Sequence, residues 1–267
     1  WAVVACDQFT SEPEYWNEVK NYVGDAPSAL NIIFPEVYLE DGDGDKRIAD
    51  INSAMNKYLS GGILKEYKNS MIYVERTQSD GKIRCGVIGT VDLEEYDYNK
   101  GSQSKIRATE GTILSRIPPR QKIRINAPLE LPHIIMLIDD RKKSVVEPLK
   151  AKKAEFKKRY DFDLMQNSGH LCGYLLDCVS IKNVLESMEQ FDSQEEFDKK
   201  FGVAGKGILS IAAGDGNHSL ATAKRCWEEI KKTLTDEDAK NHPARYALVE
   251  LMNIHDEALE FEPIQRV

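Results

Sequence analysis

An apolar strand, a glycine-bounded turn and the start of a helix follow one another in residues 208–224, ILSIAAGDGNHSLATAK. The run 208–213 is strand-like, residues 214–216 predict a turn, and a helix is expected over residues 217–234. Free backbone N–H groups and the dipole at such a helix start favour an anion, and glycines let a phosphate approach the backbone. The segment therefore predicts an anion site, with a purely structural strand–turn–helix as the alternative.

The polar side chains of this turn suggest particular roles. Asp215 could ligate a metal or cap the helix, and His218 could donate to a phosphate or act as an acid or base. The residues expected to contact a phosphate are Gly214, Gly216, Asn217 and Ser219. The turn is neither a P-loop nor a Rossmann fingerprint, because the glycine spacing and the Lys-Ser/Thr pair are missing.

A basic segment stands out in a chain that is otherwise acidic. The formal net charge is −8, from 36 Lys and Arg against 44 Asp and Glu, whereas residues 105–124 hold six cations and one acid by count along the sequence. Arginine binds phosphate and carboxylate with a bidentate fork. The candidate binding residues here are Arg107, Thr109, Arg116, Arg120 and Arg124. Glu110 could orient or deprotonate a hydroxyl, as a base does in phosphoryl transfer; a solvated charged loop is the alternative.

The overall composition excludes several classes of protein. Hydrophobic residues make up 41 % and charged residues 30 % of the 267 residues, which is typical of a globular chain. The acidic total argues against a dedicated non-specific nucleic-acid binder. Five scattered cysteines without a C-x-x-C pair predict free thiols in a reducing cytoplasm, and no apolar run is long enough for a membrane span. His170 with Cys172 and Cys178 lacks metal-ligand spacing, which favours packing.

Strands and helices alternate irregularly, which predicts an α+β fold with a mixed β-sheet and surrounding helices. Helices are expected over residues 13–23, 45–59, 144–160, 181–188 and 193–201, and strands over residues 32–39, 71–76, 82–91, 134–138, 171–179 and 246–254. An Asp-Gly turn at residues 79–81 predicts a hairpin. We expect an N-terminal α/β part over residues 1–104 and a second part over residues 105–267 that carries the site, with a single domain made of both parts as the alternative. The chain starts without Met, so we also expect a piece of a longer protein.

Four segments of the chain together resemble a known family. They are residues 1–11 (WAVVACDQFTS), 107–112 (RATEGT), 131–134 (LPHI) and 214–219 (GDGNHS). In this order, and over nearly the whole chain, they resemble the bacterial Domain of Unknown Function 1015 family. The resemblance implies that the protein extends beyond Val267.

This family is in turn similar to the ParB/sulfiredoxin-like superfold, which implies a ParB-like element in the C-terminal half. Free-serine kinases of that superfold have an Asp-Gly-His-His-Arg turn on the nucleotide phosphates and a catalytic Glu on an earlier segment. By position, Asp215 and His218 match the turn and Glu110 the base. Asn217 stands where a His is usual and Ser219 where the phosphate-binding Arg is usual, so an arginine of residues 107–124 would have to substitute. Sulfiredoxin chemistry is excluded, because this turn has no Cys.

The resemblance implies a cytoplasmic small-molecule phosphotransferase, similar to a nucleotide-dependent free-serine kinase. Its catalytic residues would be Glu110, Asp215 and His218, and its cofactors Mg²⁺ and a nucleotide, ATP or ADP. Its partners would be that nucleotide and a small-molecule substrate, without nucleic acid or membrane. The alternative is a ParB-like nucleotide-binding regulator or DNA-associated protein without kinase activity, and a third reading is a pocket that binds an anion for structural reasons.

Overall fold

The computed structural model describes residue 6, residues 9–131 and residues 134–259. Residues 1–5, 7–8 and 132–133, which belong to the segments that resemble the family, lie outside these ranges. The α-helices within them are α1 (Pro13–Val23), α2 (Gly44–Ser60), α3 (Ile117–Arg124), α4 (Glu147–Lys152), α5 (Cys178–Met188), α6 (Gln194–Phe201), α7 (Asn217–Lys231) and α8 (Asp236–Asn241). In the same ranges, no helix has the length and apolarity needed to cross a membrane.

The described strands form one mixed sheet of eight, which confirms the predicted α+β class. They are β1 (Ile72–Thr77), β2 (Ile83–Asp92), β3 (Ile106–Ala108), β4 (Ile135–Ile138), β5 (Lys157–Asp163), β6 (His170–Leu175), β7 (Ile211–Asp215) and β8 (Tyr246–Asn253). Their order across the sheet is β3-β7-β4-β8-β2-β1-β6-β5. The pairs β3–β7 and β4–β8 are parallel, and the other neighbouring pairs are antiparallel. Strands of residues 1–104 and of residues 105–267 thus share one sheet.

Two apolar clusters fix the helices on the sheet. In one, Leu220 and Trp227 of α7 pack with Met136 of β4 and Val249 of β8, all of them buried. In the other, helices α4 and α5 pack with the strands around Tyr73. Full burial of a large apolar side chain contributes about 1.5–3 kcal/mol. These buried contacts anchor α7 on the sheet, and they place its first turn at the end of β7.

The prediction of a strand over residues 32–39 is wrong. Two 3-10 turns, Ala29–Ile32 and Glu36–Tyr38, stand on either side of Pro35. Proline offers no N–H to a strand ladder, and the Ser28 side chain accepts from the N–H of Leu30, which begins the first turn. The apolar residues of this segment pack on helices instead of on a sheet, Ile32 and Phe34 with α2 and Ile33 and Val37 with α1.

The prediction of a helix over residues 144–160 is largely wrong. Only α4 and one 3-10 turn, Lys153–Glu155, are helical, and the chain then becomes the edge strand β5. The lysines that suggested a helix C-terminus lie in part on that edge, where charged side chains discourage further strand pairing. The strand expected over residues 171–179 also ends early, because the Asp177 side chain accepts from the N–H of Ser180 and caps α5.

Candidate functional site at the start of helix α7

The candidate site lies where β7 runs into α7, and two glycines shape it. Gly216 has φ +73° and ψ 24°, the left-handed region that favours glycine. Gly214 lies against β4, where an added Cβ would come within 2.5 Å of Leu137 Cδ1. The strand extends through Asp215, so the predicted turn over residues 214–216 is reduced to Gly216. The backbone conformation explains the glycine at 216 and the close approach of Leu137 explains the one at 214, so neither glycine by itself indicates a ligand.

The start of α7 holds one buried polar group, the amide nitrogen of Asn217, that lacks a partner among the described residues. No side chain caps it, because the N-cap residue is Gly216. Asp215 is exposed, and its Oδ1 accepts from the N–H of Gly216 at 2.8 Å. Asn217 is only 5 % exposed, and its Oδ1 accepts from the N–H of His218 at 2.9 Å. The Asn217 Nδ2 atom is buried and has no hydrogen-bond partner among the described residues, which costs about 1–3 kcal/mol until an acceptor arrives.

The basic segment lies directly against this helix start. Strand β3 is parallel to β7, and both the N–H and the hydroxyl of Thr109 donate to the Ala213 carbonyl, at 3.1 and 2.9 Å. The N–H of Ile113 donates to His218 Nε2 at 3.1 Å. The structure therefore brings together the two segments that the sequence singled out. The Thr109 hydroxyl proton is used in a structural bond to β7.

His218 is a neutral imidazole that anchors this loop. Burial lowers its pKa, Arg116 and Arg120 lower it further, and Glu110 and Glu36 act in the opposite direction. Because Nε2 accepts from Ile113, the ring proton belongs on Nδ1. In this state His218 has no free basic nitrogen and can only donate from Nδ1. The bond from Ile113 ties His218 to the loop, and the acid or base role expected from the sequence stays a prediction.

Two of the predicted arginines lie near His218. Arg120 donates through Nη2 to Glu36 Oε1 at 2.5 Å and through Nη1 to the Arg116 carbonyl at 3.2 Å. Arg116 is exposed, and its guanidinium makes no ion pair within the described parts of the chain. The guanidinium of Arg120 is thus held in place with donors to spare, and Arg116 adds an uncompensated positive charge.

A cavity of about 180 Å³ adjoins the first turn of α7. The 3-10 turns around Phe34 and the side chains of Ile51 and Met55 on α2 supply its apolar wall. Polar groups enter from Arg120, Arg124, Glu36, Glu130, Ser219 and Thr222. An apolar cavity with a few convergent polar groups is the usual form of a small-molecule site. Arg124 and Glu130 pair with each other at 2.5 Å, which leaves this arginine less available to a ligand.

Glu110 and Arg107 belong to a different cavity, of about 640 Å³. That cavity is lined by parts of residues 97–102 and 107–114, and it shares no lining residue with the cavity beside Ser219. Arg107 donates to the carbonyls of Ser102 and Gly207, both at 3.2 Å, so it ties two loops together. Arg120, Arg124 and Ser219 therefore line one cavity, and Arg107 and Glu110 line the other. The remaining predicted site residues line neither of these two cavities: Thr109, Arg116, Gly214, Asp215, Gly216, Asn217 and His218.

Two features of the site could not be expected from the sequence. Glu36 pairs with Arg120 across 84 residues of chain, and nothing in the sequence around Pro35 indicates that contact. The apolar wall from residues 32–34 lies in the segment whose strand prediction is wrong. The sequence does predict Asn217 as a phosphate contact, but from its place in the turn and not from its buried amide.

The comparisons with other proteins bear on the family alone. Neither the curated proteins nor the solved structures contain a match to this chain. The more distant similarity to the ParB/sulfiredoxin-like superfold therefore stays a prediction. The sequence profile of the family described as "Protein of unknown function (DUF1015)" matches residues 1–267, and the chain belongs to that family.

Proposed function

We propose that the start of α7 and the adjoining cavity bind a nucleotide, and that the protein is a small-molecule phosphotransferase. The observation that carries the proposal is the buried, unpartnered Nδ2 of Asn217 at a glycine-capped helix start. A phosphate oxygen would supply the missing acceptor, and the positive end of the helix dipole favours the same group.

The charges around this helix start support a phosphate over a neutral ligand. Arg116 and Arg120 are both close enough to His218 to lower its pKa, and His218 itself stays neutral. Arg120 can keep its bond to Glu36 and still donate, because a guanidinium has five N–H donors. Phosphoryl transfer depends mainly on positioning and electrostatic stabilisation, which fixed guanidinium groups provide.

The apolar lining of this cavity suits the base of a nucleotide. Its apolar wall around Phe34, Ile51 and Met55 would pack against the base, while Ser219 lies on the side of α7. Asp215 is exposed beside the helix start, and Mg²⁺ commonly binds through one or two carboxylates together with substrate phosphates. Asp215 is therefore the residue that would hold Mg²⁺, which neutralises phosphate charge when bound.

Glu110 is the residue proposed to position or deprotonate the acceptor hydroxyl. It is exposed at its own cavity, and its charge reaches His218 and raises that pKa. The acceptor would then approach from the side of the loop that begins at Thr109. A free amino acid such as L-serine is the first acceptor to test.

The proposal is tested by incubating the protein with ATP or ADP, Mg²⁺ and single amino acids, and by detecting the phosphorylated acceptor with ³¹P NMR. We expect product with the unchanged chain, and at least a tenfold lower rate for Arg120→Ala and Glu110→Gln. Lys122→Ala is the matched control, because Lys122 lies on the same helix but pairs with Asp45. Absence of nucleotide binding, or full activity of Glu110→Gln, contradicts the proposal. Saturable binding without turnover favours the nucleotide-binding regulator instead.

A further inference from the structure

A second group of reactive side chains lies far along the sheet, on the β5–β6 hairpin. Strand β5 is the sheet edge, and it pairs antiparallel with β6 so that Asp161 is opposite Cys172 and Asp163 is opposite His170. Alternate residues of a strand point to the same face. The four side chains therefore stand together on one face of the hairpin.

Three of these side chains converge on one point. His170 Nε2 is 2.7 Å from Asp161 Oδ1, Cys172 Sγ is 3.1 Å from the same oxygen, and Sγ and Nε2 are 3.4 Å apart. Among the residues that the structure describes, they form the one group of at least three His, Cys, Asp or Glu donors whose atoms all lie within 4.8 Å of one another.

We propose that Asp161, His170 and Cys172 bind a Zn²⁺ ion. Thiolate, imidazole and carboxylate are the three protein ligands that Zn²⁺ takes, and bonds of about 2.0–2.3 Å place tetrahedral ligand atoms roughly 3.3–3.6 Å apart. The Sγ–Nε2 separation of 3.4 Å already lies in that range, and the Asp161 oxygen would have to move away from Nε2 by roughly half an ångström. With three protein ligands, the fourth position is left for water or a substrate.

The neighbours of these ligands are arranged as metal sites require. Asp163 Oδ1 lies 2.6 Å from His170 Nδ1, so the carboxylate holds the ring proton on Nδ1 and leaves Nε2 for the metal. Lys158 Nζ lies 2.5 Å from Asp161 Oδ2, which leaves Oδ1 as the single carboxylate ligand. Cys172 would release its thiol proton to solvent on binding, because the thiolate is the ligand.

A catalytic Cys–His–Asp arrangement explains these contacts less well. Cys172, His170 and Asp163 do follow one another as nucleophile, base and orienting carboxylate. However, Asp161 touches both Sγ and Nε2, and a carboxylate beside a thiolate disfavours the charged nucleophile. A cation between the three donor atoms removes that repulsion. The half-exposed His170 and Cys172 on an edge strand also let an ion enter from solvent.

The test is a titration of the reduced, full-length chain with Co²⁺ and then Zn²⁺ at pH 7.5. Co²⁺ reports on its ligands through visible bands, and a thiolate ligand adds an ultraviolet charge-transfer band. We expect one Co²⁺ per chain with that band, displaced by one Zn²⁺. Cys172→Ser should remove the charge-transfer band, and Asp163→Asn should weaken binding about 10–100-fold. Zn²⁺ should also protect Cys172 from alkylation by iodoacetamide.

Cys178→Ser is the matched control, because Cys178 is exposed and lies outside the cluster. It should keep the charge-transfer band and the affinity of the unchanged chain, and Cys178 should be alkylated with or without Zn²⁺. Asp163 is 90 % exposed, so Asp163→Asn should fold even if Cys172→Ser does not. A Co²⁺ complex without the thiolate band, or one whose affinity Asp163→Asn leaves unchanged, overturns the proposal.

Discussion

The start of α7 and the β5–β6 hairpin both gather polar groups, but they offer opposite chemistry. The helix start presents donors and positive charge, from the Asn217 amide and from Arg116 and Arg120. The hairpin presents acceptors, from two carboxylates, an imidazole and a thiol. The first therefore suits an anion and the second a cation. An acidic chain can hold both, because the net charge is a sum over the whole chain and does not fix the local charge of either region.

The two regions also differ in how they are supported. Strand β7 lies between β3 and β4, and α7 is anchored by buried side chains such as Trp227. The hairpin ends the sheet, and its ligands depend on the register between two strands. We therefore expect damage to one region to leave ligand binding at the other unchanged.

The largest effect is expected from Gly173→Val on β6. A Cβ at Gly173 would overlap the ring of Tyr160, which packs on this glycine from β5. Forcing a side chain into a filled site costs about 1–3 kcal/mol, which lowers the melting temperature of a chain of this size by several degrees. Co²⁺ binding should be lost with the register, while nucleotide affinity stays the same. Thermal unfolding and the two titrations measure this.

Gly42→Val is the control for that substitution, because nothing lies within 4 Å of a Cβ at Gly42. It should leave stability and both affinities unchanged. If Gly173→Val reduced nucleotide affinity as strongly as Co²⁺ affinity, the two regions would not be independent.

A smaller effect is expected from Gly216→Ala at the helix start. Any other residue at φ +73° costs about 1–2 kcal/mol, and relief of that strain would shift the first turn of α7. The free energy of unfolding should fall by that amount, and the affinity for the nucleotide should fall as well. Gly202→Ala is the matched control, because Gly202 has φ 63° at the end of α6 and lines neither of the two candidate cavities. It should cost similar stability and leave nucleotide affinity intact; equal losses of affinity in both variants would contradict the placement of the site.

The smallest effect is the contribution of His218 to the pH dependence of the free energy of unfolding. Its pKa is lowered in the folded protein, so below about pH 6.5 the unfolded chain takes up the proton first. Stability from this group is present at neutral pH and is lost as the pH falls from about 6.5 toward the lowered pKa. Denaturant unfolding at pH 7.5 and 5.5 should show a smaller decrease for His218→Gln than for the unchanged chain. Identical decreases would show that His218 is not held neutral by the loop.

The same contrast explains what the sequence could predict. The glycine turn and the helix after it are contiguous, so local signals were sufficient to find Asp215, Asn217 and His218. The hairpin of β1 and β2 was predicted for the same reason, from its Asp-Gly turn. The contact between Arg120 and Glu36 was not predictable from local sequence, because the two residues are 84 positions apart. Glu36 also lies in the segment that was predicted as a strand and that forms two 3-10 turns around Pro35.

The cluster on the β5–β6 hairpin could not be predicted from sequence patterns. His170 and Cys172 have no spacing typical of a metal site, and packing was the favoured interpretation. Their partner Asp161 comes from β5, whose first four residues fall in the helix predicted over residues 144–160. Only the strand register places these residues side by side. Cys178, which shares the local sequence, begins α5 and takes no part.

The central claim is that the start of α7 binds nucleotide phosphates, and amide NMR tests it most directly. The ¹⁵N-labelled full chain is titrated with ATP and Mg²⁺, and the signals of the Asn217 side-chain amide are followed with the backbone amides of Asn217 and Ser219. We expect saturable shifts at these groups and about a tenfold weaker affinity for Asn217→Ala, the size of one hydrogen bond to a charged group. Saturable binding that leaves these signals in place, or an affinity that Asn217→Ala and Arg120→Ala do not change, would contradict the claim.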